Sequence, residues 1–287
     1  MKVSILEPSG YCVGVERAIN IAIETKKEHP SSNVVVLGML VHNEDSLRTL
    51  DKYGIKTIYK PGCSLKQLID EIKEPSMVIL TAHGHAISVE EKLIKNGHCI
   101  VDATCPFVKS SFETIFKSVN EGKPVLYIGV KNHPEAIATL SLSKDVYLVD
   151  YKEQNIPDLS VLSPLVISQT TLSEYEVKEI SQKIFKKYPN AKFLNGICNA
   201  STKRQEALMN LEDDVDLIYI VGGSNSNNSK TLFNLASKLY PNKIVKLIQN
   251  ATDINKKDLV GLSHVVLSSG ASTPKEVILD IKNKLSD

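Results

Sequence analysis

The chain has 287 residues, a formal net charge of +1 and a hydrophobic fraction of 42%. That length is enough for one large core or for two to three compact units. The nearly balanced charge excludes a global field that would recruit nucleic acid or an anionic membrane, so we expect neither as a partner. Apolar runs such as residues 217–221 are far shorter than the ~20 residues that span a bilayer.

The amino terminus and the cysteines predict a reducing compartment. Pro8 and Gly10 interrupt the first residues before an apolar stretch develops to the length of a secretory signal. The five cysteines are an odd number, which argues against a framework of disulfides. We therefore expect a cytoplasmic protein whose cysteines are buried thiols, metal ligands or nucleophiles.

Short β-branched runs alternate with amphipathic stretches at helical spacing along the whole chain. Strands are predicted, in chain order, at residues 3–6, 34–37, 78–81, 99–101, 125–129, 146–149, 165–168, 217–221, 244–247 and 264–268. Helices are predicted between them, for example at residues 15–27, 108–120, 174–187, 203–211 and 229–240. Such alternation is typical of parallel sheets that are covered on both faces, so the predicted fold class is α/β.

Three cysteines recur at equal spacing and predict an internal repeat. Cys12, Cys105 and Cys198 are separated by 93 and again by 93 residues, and each opens a helical pattern. A polar motif follows each cysteine by about 30 residues, as VHN, NHPE and SNSNN, and a second polar motif ends another strand in each repeat. We expect three related units at residues 13–100, 101–195 and 196–287, with an amino-terminal strand at residues 1–12 that joins the third.

The setting of these three cysteines favours metal ligation. Each lies in a turn that enters a helix, where the helix dipole and free N–H groups favour the thiolate. Tight CxxC pairs, typical of structural zinc, and the clustered cysteines of ferredoxins are absent from the sequence. Three widely spaced thiolates instead indicate a cluster with one incompletely ligated iron, whereas Cys63 and Cys99 are expected to be small buried hydrophobic residues. Ligands of α/β sheets bind beyond the carboxyl ends of strands, so we expect one shared cavity there.

Taken in order, the motifs resemble one known family. The chain contains, between about residue 3 and residue 280, the succession GYCVGV, VHN, AHG, DATCP, NHPE, SQTTLS, ICNASTKRQEA, GGSNSNNS and SGAS. It resembles the 4-hydroxy-3-methylbut-2-enyl diphosphate reductases, the last enzymes of the methylerythritol phosphate pathway. The resemblance implies three pseudo-threefold-related α/β units, with mainly parallel sheets, around a central [4Fe–4S] cluster.

The resemblance also implies roles for individual residues. The cluster would have one open iron site and three ligands, Cys12, Cys105 and Cys198. The diphosphate would be bound by His42, His83, Ser226, Asn228 and Ser272. The hydroxymethyl group and its polar shell would be surrounded by His133, Glu135, Gln169, Thr170 and Asn225. The sequence departs from the family pattern at Asn227, where a second serine is common, so an amide would replace one hydroxyl contact to phosphate.

The implied reaction converts 4-hydroxy-3-methylbut-2-enyl diphosphate to isopentenyl diphosphate and dimethylallyl diphosphate by a two-electron reductive loss of the allylic hydroxyl as water. Side chains do not supply the electrons, so a redox cofactor is required, and the lack of GxGxxG after the first strand argues against a nicotinamide or flavin. The resemblance implies a ferredoxin or flavodoxin type electron donor. Glu135 is the candidate proton source, which requires a raised pKa, and Thr170 is the candidate relay beside His133.

The sequence contains only three arginines, so hydroxyl, amide and backbone N–H groups are expected to hold the diphosphate. His42 and His83 are expected to add positive charge where they are protonated. Arg17 and Arg204 are expected to form structural ion pairs between the units.

Two other functions fit parts of the pattern. A hydrolase with zinc on a mixture of cysteines and histidines needs no electrons and would be colourless. A non-enzymatic iron–sulfur sensor or scaffold needs the thiols but leaves Glu135, Thr170 and the phosphate-type loops without a role. Binding of a small diphosphate would separate the sensor from the reductase.

Overall fold

The computed structural model describes residues 1–161 and 163–286, whose strands form three four-stranded parallel sheets. The first sheet contains β2 (Val34–Leu37), β3 (Lys56–Ile58), β4 (Met77–Leu80) and β5 (Cys99–Asp102). The second contains β6 (Val125–Gly129), β7 (Val146–Asp150), β8 (Leu165–Ser168) and β9 (Lys192–Leu194). The third contains β1 (Lys2–Ile5), β10 (Leu217–Val221), β11 (Ile244–Ile248) and β12 (His264–Ser269).

The three sheets share one strand order. The orders are β3-β2-β4-β5, β7-β6-β8-β9 and β11-β10-β12-β1. In the third sheet the outer position next to β12 is filled by the amino-terminal strand, with Ile5 in register with Leu267. The predicted α/β class with parallel sheets is therefore confirmed.

The inner strands are apolar because both faces of each sheet are covered. In β10, Leu217 and Tyr219 face a cluster that includes Ile278 of the last helix. Ile218, on the opposite face, packs with Leu232. All ten predicted strands are present. Two were not predicted, β3 and β9, because each is a three-residue edge strand, too short to show a pattern.

Ten α-helices follow or separate these strands in the described part of the chain. They are α1 (Val13–Glu28), α2 (Glu44–Lys52), α3 (Leu65–Leu68), α4 (Ile87–Lys95), α5 (Pro106–Asn120), α6 (Pro134–Leu140), α7 (Glu174–Lys187), α8 (Asn199–Met209), α9 (Asn227–Leu239) and α10 (Lys275–Ser286). The start of α7 shows how the sequence sets these boundaries. Ser173 accepts a hydrogen bond from the backbone N–H of Glu176, whose side chain accepts in return from Ser173 N–H.

Four residues of the predicted site cap helices. Cys105, His133, Cys198 and Ser226 are the N-cap residues of α5, α6, α8 and α9. Each of these helices follows a strand of a parallel sheet, so its start lies at the carboxyl end of that sheet. This is the edge at which ligands bind in α/β proteins.

The chain folds into two compact units. The smaller unit consists of Met1–Val15, His42–Ser46 and Cys198–Asp287 and holds the third sheet. The larger unit consists of Glu16–Val41 and Leu47–Ile197 and holds the other two sheets. The division into units at residues 13–100, 101–195 and 196–287 stays a prediction.

Across residues 1–161 and 163–286, no helix combines the length and the apolar character needed to cross a membrane.

Candidate active site

Arg204 organises the part of the predicted site that lies in the smaller unit. Arg204 is only 2% exposed, and its guanidinium donates to the carbonyl oxygens of Ser269 at 3.1 Å, Ala200 at 3.0 Å and Gly10 at 2.7 Å. These partners are backbone carbonyls, so the expected ion pair of Arg204 is replaced by a set of hydrogen bonds. Arg204 thereby joins the loop before Cys12 to the end of β12.

Two of the predicted cluster ligands lie within electrostatic range of this guanidinium. Burial lowers the pKa of Arg204, while negative charge on Cys12 and Cys198 opposes that change. Both thiols are half-buried and free of disulfides. The backbone N–H of Cys12 donates to the carbonyl of Ala271 at 2.9 Å, and Cys198 Sγ lies 3.2 Å from the hydroxyl of Ser201. A buried cation therefore lies near both thiols, and each thiol is at the start of a helix.

The polar loop before α9 supplies a second set of predicted residues in the smaller unit. Ser226 is buried and accepts a hydrogen bond from the N–H of Ser229, while Asn225 is exposed and Asn227 half-exposed. Asn228 is buried, and both ends of its amide have protein partners. Its Nδ2 donates to Ser201 Oγ at 3.0 Å, and its Oδ1 accepts from Ala271 N at 2.9 Å.

His42 and Ser272 are also neighbours in the smaller unit. The hydroxyl of Ser272 donates to the carbonyl oxygen of His42 at 3.4 Å. Burial, with a smaller effect of the positive charge on Lys230, lowers the pKa of the His42 imidazole to about 4. His42 is therefore neutral near pH 7 and offers hydrogen bonds there instead of the expected positive charge.

The carboxyl of Glu135 is the centre of the predicted residues in the larger unit. It is 2% exposed at the start of α6. Oε1 accepts from the phenol of Tyr127 at 3.0 Å and from the backbone N–H of Thr170 at 2.9 Å. Oε2 lies 2.7 Å from the hydroxyl of Thr170. Burial raises the pKa of Glu135, and the bonds from Thr170 and Tyr127 only partly offset this.

His133 and His83 lie at and near the start of α6 in the larger unit. His133 is buried as the N-cap of α6, and its Nδ1 accepts from the N–H of Glu135 at 3.2 Å. A neutral His133 with this bond carries its proton on Nε2. The ring of His83 packs edge-on against that of His133, with 5.5 Å between the ring centroids.

Gln169, next to Thr170, is fully buried, and its amide also has protein partners at both ends. Its Oε1 accepts from the N–H of Val130 at 2.9 Å, and its Nε2 donates to the Thr171 hydroxyl at 3.0 Å. These bonds connect the ends of β6 and β8. Gln169 therefore holds the loop that carries Thr170.

The third predicted cluster ligand, Cys105, lies in a loop of the larger unit that is stabilised by hydrogen bonds and an ion pair. Its N–H donates to the carbonyl of Ala82 at 3.0 Å. In the same loop, Asp102 accepts from the N–H of Thr104 at 2.8 Å and pairs with Lys109 at 2.6 Å. Arg17 donates to the carbonyl of Thr104 at 3.2 Å, so it too bonds a backbone group.

Tyr127 was missed by the sequence analysis. It is 1% exposed in the middle of β6, where an aromatic residue is indistinguishable from ordinary core. Its position eight residues before Glu135 carries no periodic signal, because a strand, a turn and a helix start lie between them.

The fold and these residues define an α/β protein with a buried carboxylic acid and with half-buried thiols at helix starts. The chain belongs to the LytB protein family, whose model it matches over residues 3–286. A relative from Malacoplasma penetrans, described as 4-hydroxy-3-methylbut-2-enyl diphosphate reductase, is 35% identical over 99% of this chain and 98% of its own.

Two solved structures are similar over the whole chain. The E-1-hydroxy-2-methyl-but-2-enyl-4-diphosphate reductase of Plasmodium falciparum has a TM-score of 0.88 and 27% identity, over 100% of this chain and 88% of that one. A structure described as (E)-4-hydroxy-3-methyl-but-2-enyl diphosphate reductase has a TM-score of 0.68 and 32% identity, over 100% and 99% of the two chains. The predicted family and enzyme class are confirmed.

Proposed function

We propose that this protein reduces 4-hydroxy-3-methylbut-2-enyl diphosphate to isopentenyl diphosphate and dimethylallyl diphosphate, with loss of the allylic hydroxyl as water. The main structural support for this function comes from Glu135. Its carboxyl is buried, has a raised pKa and is hydrogen-bonded to Thr170. A carboxyl that holds its proton toward neutral pH has the property required of a general acid.

Cys12, Cys105 and Cys198 would hold a [4Fe–4S] cluster. Their chemistry fits, since all three are half-buried thiols outside any disulfide and lie at helix starts, and Arg204 adds positive charge near two of them. When bound, the cluster with its open iron site supplies electrons and a Lewis acid for the substrate hydroxyl. We infer a ferredoxin or flavodoxin type electron donor and a cytoplasmic location, where thiols stay reduced.

Glu135 and Thr170 would deliver the proton that converts the departing hydroxyl to water. The reduction consumes two electrons and two protons, breaks the allylic C–O bond and leaves the second proton on the carbon skeleton. The proton on Glu135 passes to Thr170, whose hydroxyl accepts it and gives its own proton onward. His133, which caps the same helix, would complete the catalytic group.

The remaining polar residues would bind the substrate. The set comprises His42, His83, His133, Gln169, Thr170, Asn225, Ser226, Asn227, Asn228 and Ser272. Within this set, Gln169 and Asn228 also stabilise loops, because each has protein partners at both ends of its amide. Ser226 and the N–H groups at the start of α9 offer donors to a phosphate oxygen.

One experiment tests the cluster and the acid together. Wild type, Cys105→Ser and Glu135→Gln are reconstituted anaerobically and compared in iron content, visible absorption and turnover of the diphosphate. We expect about four irons per chain and a broad band near ~400 nm in wild type. Cys105→Ser is expected to lose both, while Glu135→Gln keeps the cluster and loses turnover by about 10²-fold or more.

Cys99→Ser and Glu206→Gln are the matched controls, because both residues are exposed, and both variants should behave as wild type. The expectation that Cys99 is buried was wrong, since β5 is an edge strand and Cys99 is its first residue. A colourless protein with stoichiometric zinc would contradict the reductase and favour the hydrolase. Near-normal turnover of Glu135→Gln would remove the role of the acid while leaving the cluster in place.

A further inference from the structure

The two oxygens of the Glu135 carboxyl have different partners. Oε1 has two hydrogen-bond donors, the phenol of Tyr127 at 3.0 Å and the backbone N–H of Thr170 at 2.9 Å. Oε2 has the hydroxyl of Thr170 at 2.7 Å. A backbone N–H is only a donor, and a phenol that donates to Oε1 uses its single proton there. Oε1 is therefore held as an acceptor.

This asymmetry determines where a protonated Glu135 keeps its proton. A proton on Oε1 would face two donors, so one of those donors would lose its buried acceptor, at the cost of an unsatisfied polar group. A proton on Oε2 faces the Thr170 hydroxyl, which can accept it. We propose that Tyr127 is a positioning residue, which keeps the acidic proton of Glu135 on Oε2 and directed at the Thr170 hydroxyl.

Packing holds the phenol of Tyr127 in position to donate to Glu135 Oε1. Its ring is fully buried in a cluster with Ile115, Val125 and Ala136, so the phenol has little freedom to turn away. The hydroxyl of Thr139, which lies next to the phenol, donates to the backbone carbonyl of Glu135 at 2.7 Å. The phenol is thus anchored between the central strand β6 and the first turn of α6.

The groups that face the Glu135 carboxyl come from two elements: Tyr127 approaches from β6 and Thr170 from the loop after β8. His133, at the start of α6, instead accepts from the backbone N–H of Glu135. His83 in turn contacts the ring of His133. Tyr127 itself stays protonated, because burial and the nearby Glu135 raise its pKa well above the usual range.

The inference rests on the proposed function for its catalytic consequence, and Tyr127→Phe in the cluster-loaded enzyme tests it. Loss of a donor to the carboxylate raises the pKa of Glu135, so the acid stays protonated to higher pH. The basic limb of the kcat–pH profile is expected to move up by about one pH unit. We expect kcat on the acid side to fall while KM for the diphosphate is unchanged, because the proton then divides between two oxygens.

Infrared spectroscopy gives a readout that does not depend on turnover. The C=O band of the protonated carboxyl is identified by its loss in Glu135→Gln. Since hydrogen bonds to a carbonyl oxygen lower its stretching frequency, the band should move to higher frequency in Tyr127→Phe. A wild-type band position together with a wild-type pH profile in this variant would overturn the proposal.

Tyr219→Phe is the matched control. Tyr219 is the third residue of β10, as Tyr127 is of β6, and it is equally buried. Its hydroxyl has no hydrogen-bond partner in the described part of the chain. This variant should leave the band and the pH profile unchanged, and a shift as large as that of Tyr127→Phe would contradict the assignment to Tyr127.

A second measurement decides the question if Tyr127→Phe does not fold. The ten tyrosines of the wild-type sequence are replaced by 3-fluorotyrosine, which makes each phenol a stronger donor. The Glu135 band should then move to lower frequency, and an unmoved band would reject the proposal. The band decides the positioning by Tyr127, whereas turnover of Glu135→Gln decides the proposed acid role, so the two failures are distinguishable.

Discussion

Single side chains in this protein hold the loops that carry the predicted site. Asn228 connects Ser201 of α8 to the loop at Ala271, and Gln169 connects the ends of β6 and β8. An amide has both a donor and an acceptor end, so one side chain can satisfy two backbone or hydroxyl groups at once. Substitution of either residue would disturb the shape of a loop as well as any contact to substrate.

Arg204 is a single side chain that stabilises three backbone segments through its hydrogen bonds. Arg204→Met keeps the aliphatic stem but removes every donor, which leaves the carbonyls of Gly10, Ala200 and Ser269 without this buried partner. We expect the free energy of unfolding to fall by about 2–4 kcal/mol, measured by urea denaturation. Lys203→Met is the control, because Lys203 is exposed on the same helix, and a loss of comparable size there would contradict this explanation.

At the scale of elements, α9 packs against the ends of two strands through two glycines. The hydroxyl of Ser229, in the first turn of α9, is fully buried and has no hydrogen-bond partner among the described residues. A Cβ at Gly222, after β10, would lie 2.1 Å from Ser229 Oγ, and a Cβ at Gly270, after β12, would lie 2.2 Å from it. The absence of side chains at both positions lets the helix start approach the strand ends.

A double-mutant cycle tests this packing. Gly270→Ala is expected to lower the free energy of unfolding by about 1–3 kcal/mol, because the methyl group overlaps Ser229 Oγ. Ser229→Ala removes that oxygen, and the nearest remaining atom, Ser229 Cβ, is at 3.4 Å. The double variant Gly270→Ala/Ser229→Ala should therefore recover most of the loss in thermal or urea denaturation. Additive losses in the double variant would show that another contact is responsible.

At the scale of the whole molecule, two buried groups make stability depend on pH in opposite directions. The pKa of His42 is about 4 in the folded protein and ~6.5 in an unfolded chain, so unfolding takes up a proton between these values. The pKa of Glu135 is raised by burial, so its contribution is present below the unfolded pKa and is lost as pH rises through the folded value.

His42→Gln isolates the first of these contributions. Wild type should lose about 1–3 kcal/mol of its free energy of unfolding between pH 6.5 and pH 4 through this histidine. The glutamine variant lacks the titrating group, so its stability should fall less steeply over the same interval. Urea denaturation at several pH values measures the difference, in which shared contributions cancel. Parallel curves for the two proteins would contradict the depressed pKa.

The sequence by itself determined the features that depend on local pattern. The alternation of β-branched runs and amphipathic stretches predicted the α/β class and ten strands, all of which are present. The two missed strands, β3 and β9, lie at sheet edges, where three residues do not generate a pattern. Cys12, Cys105 and Cys198 could be singled out in the sequence because each precedes a helical pattern. That is a local property, and the equal spacing of the three cysteines then follows by counting.

Only the tertiary structure decided which groups meet. Glu135 bonds Thr170 across 35 residues, and Arg204 bonds Gly10 across 194. In the sequence, Tyr127 is indistinguishable from an ordinary core residue. It donates to the Glu135 carboxyl only because the turn after β6 brings the start of α6 next to that strand. The pKa of His42 likewise follows from burial, which local sequence does not specify. Hydrogen bonding and desolvation depend on distances across the fold, whereas secondary structure depends mainly on neighbours along the chain.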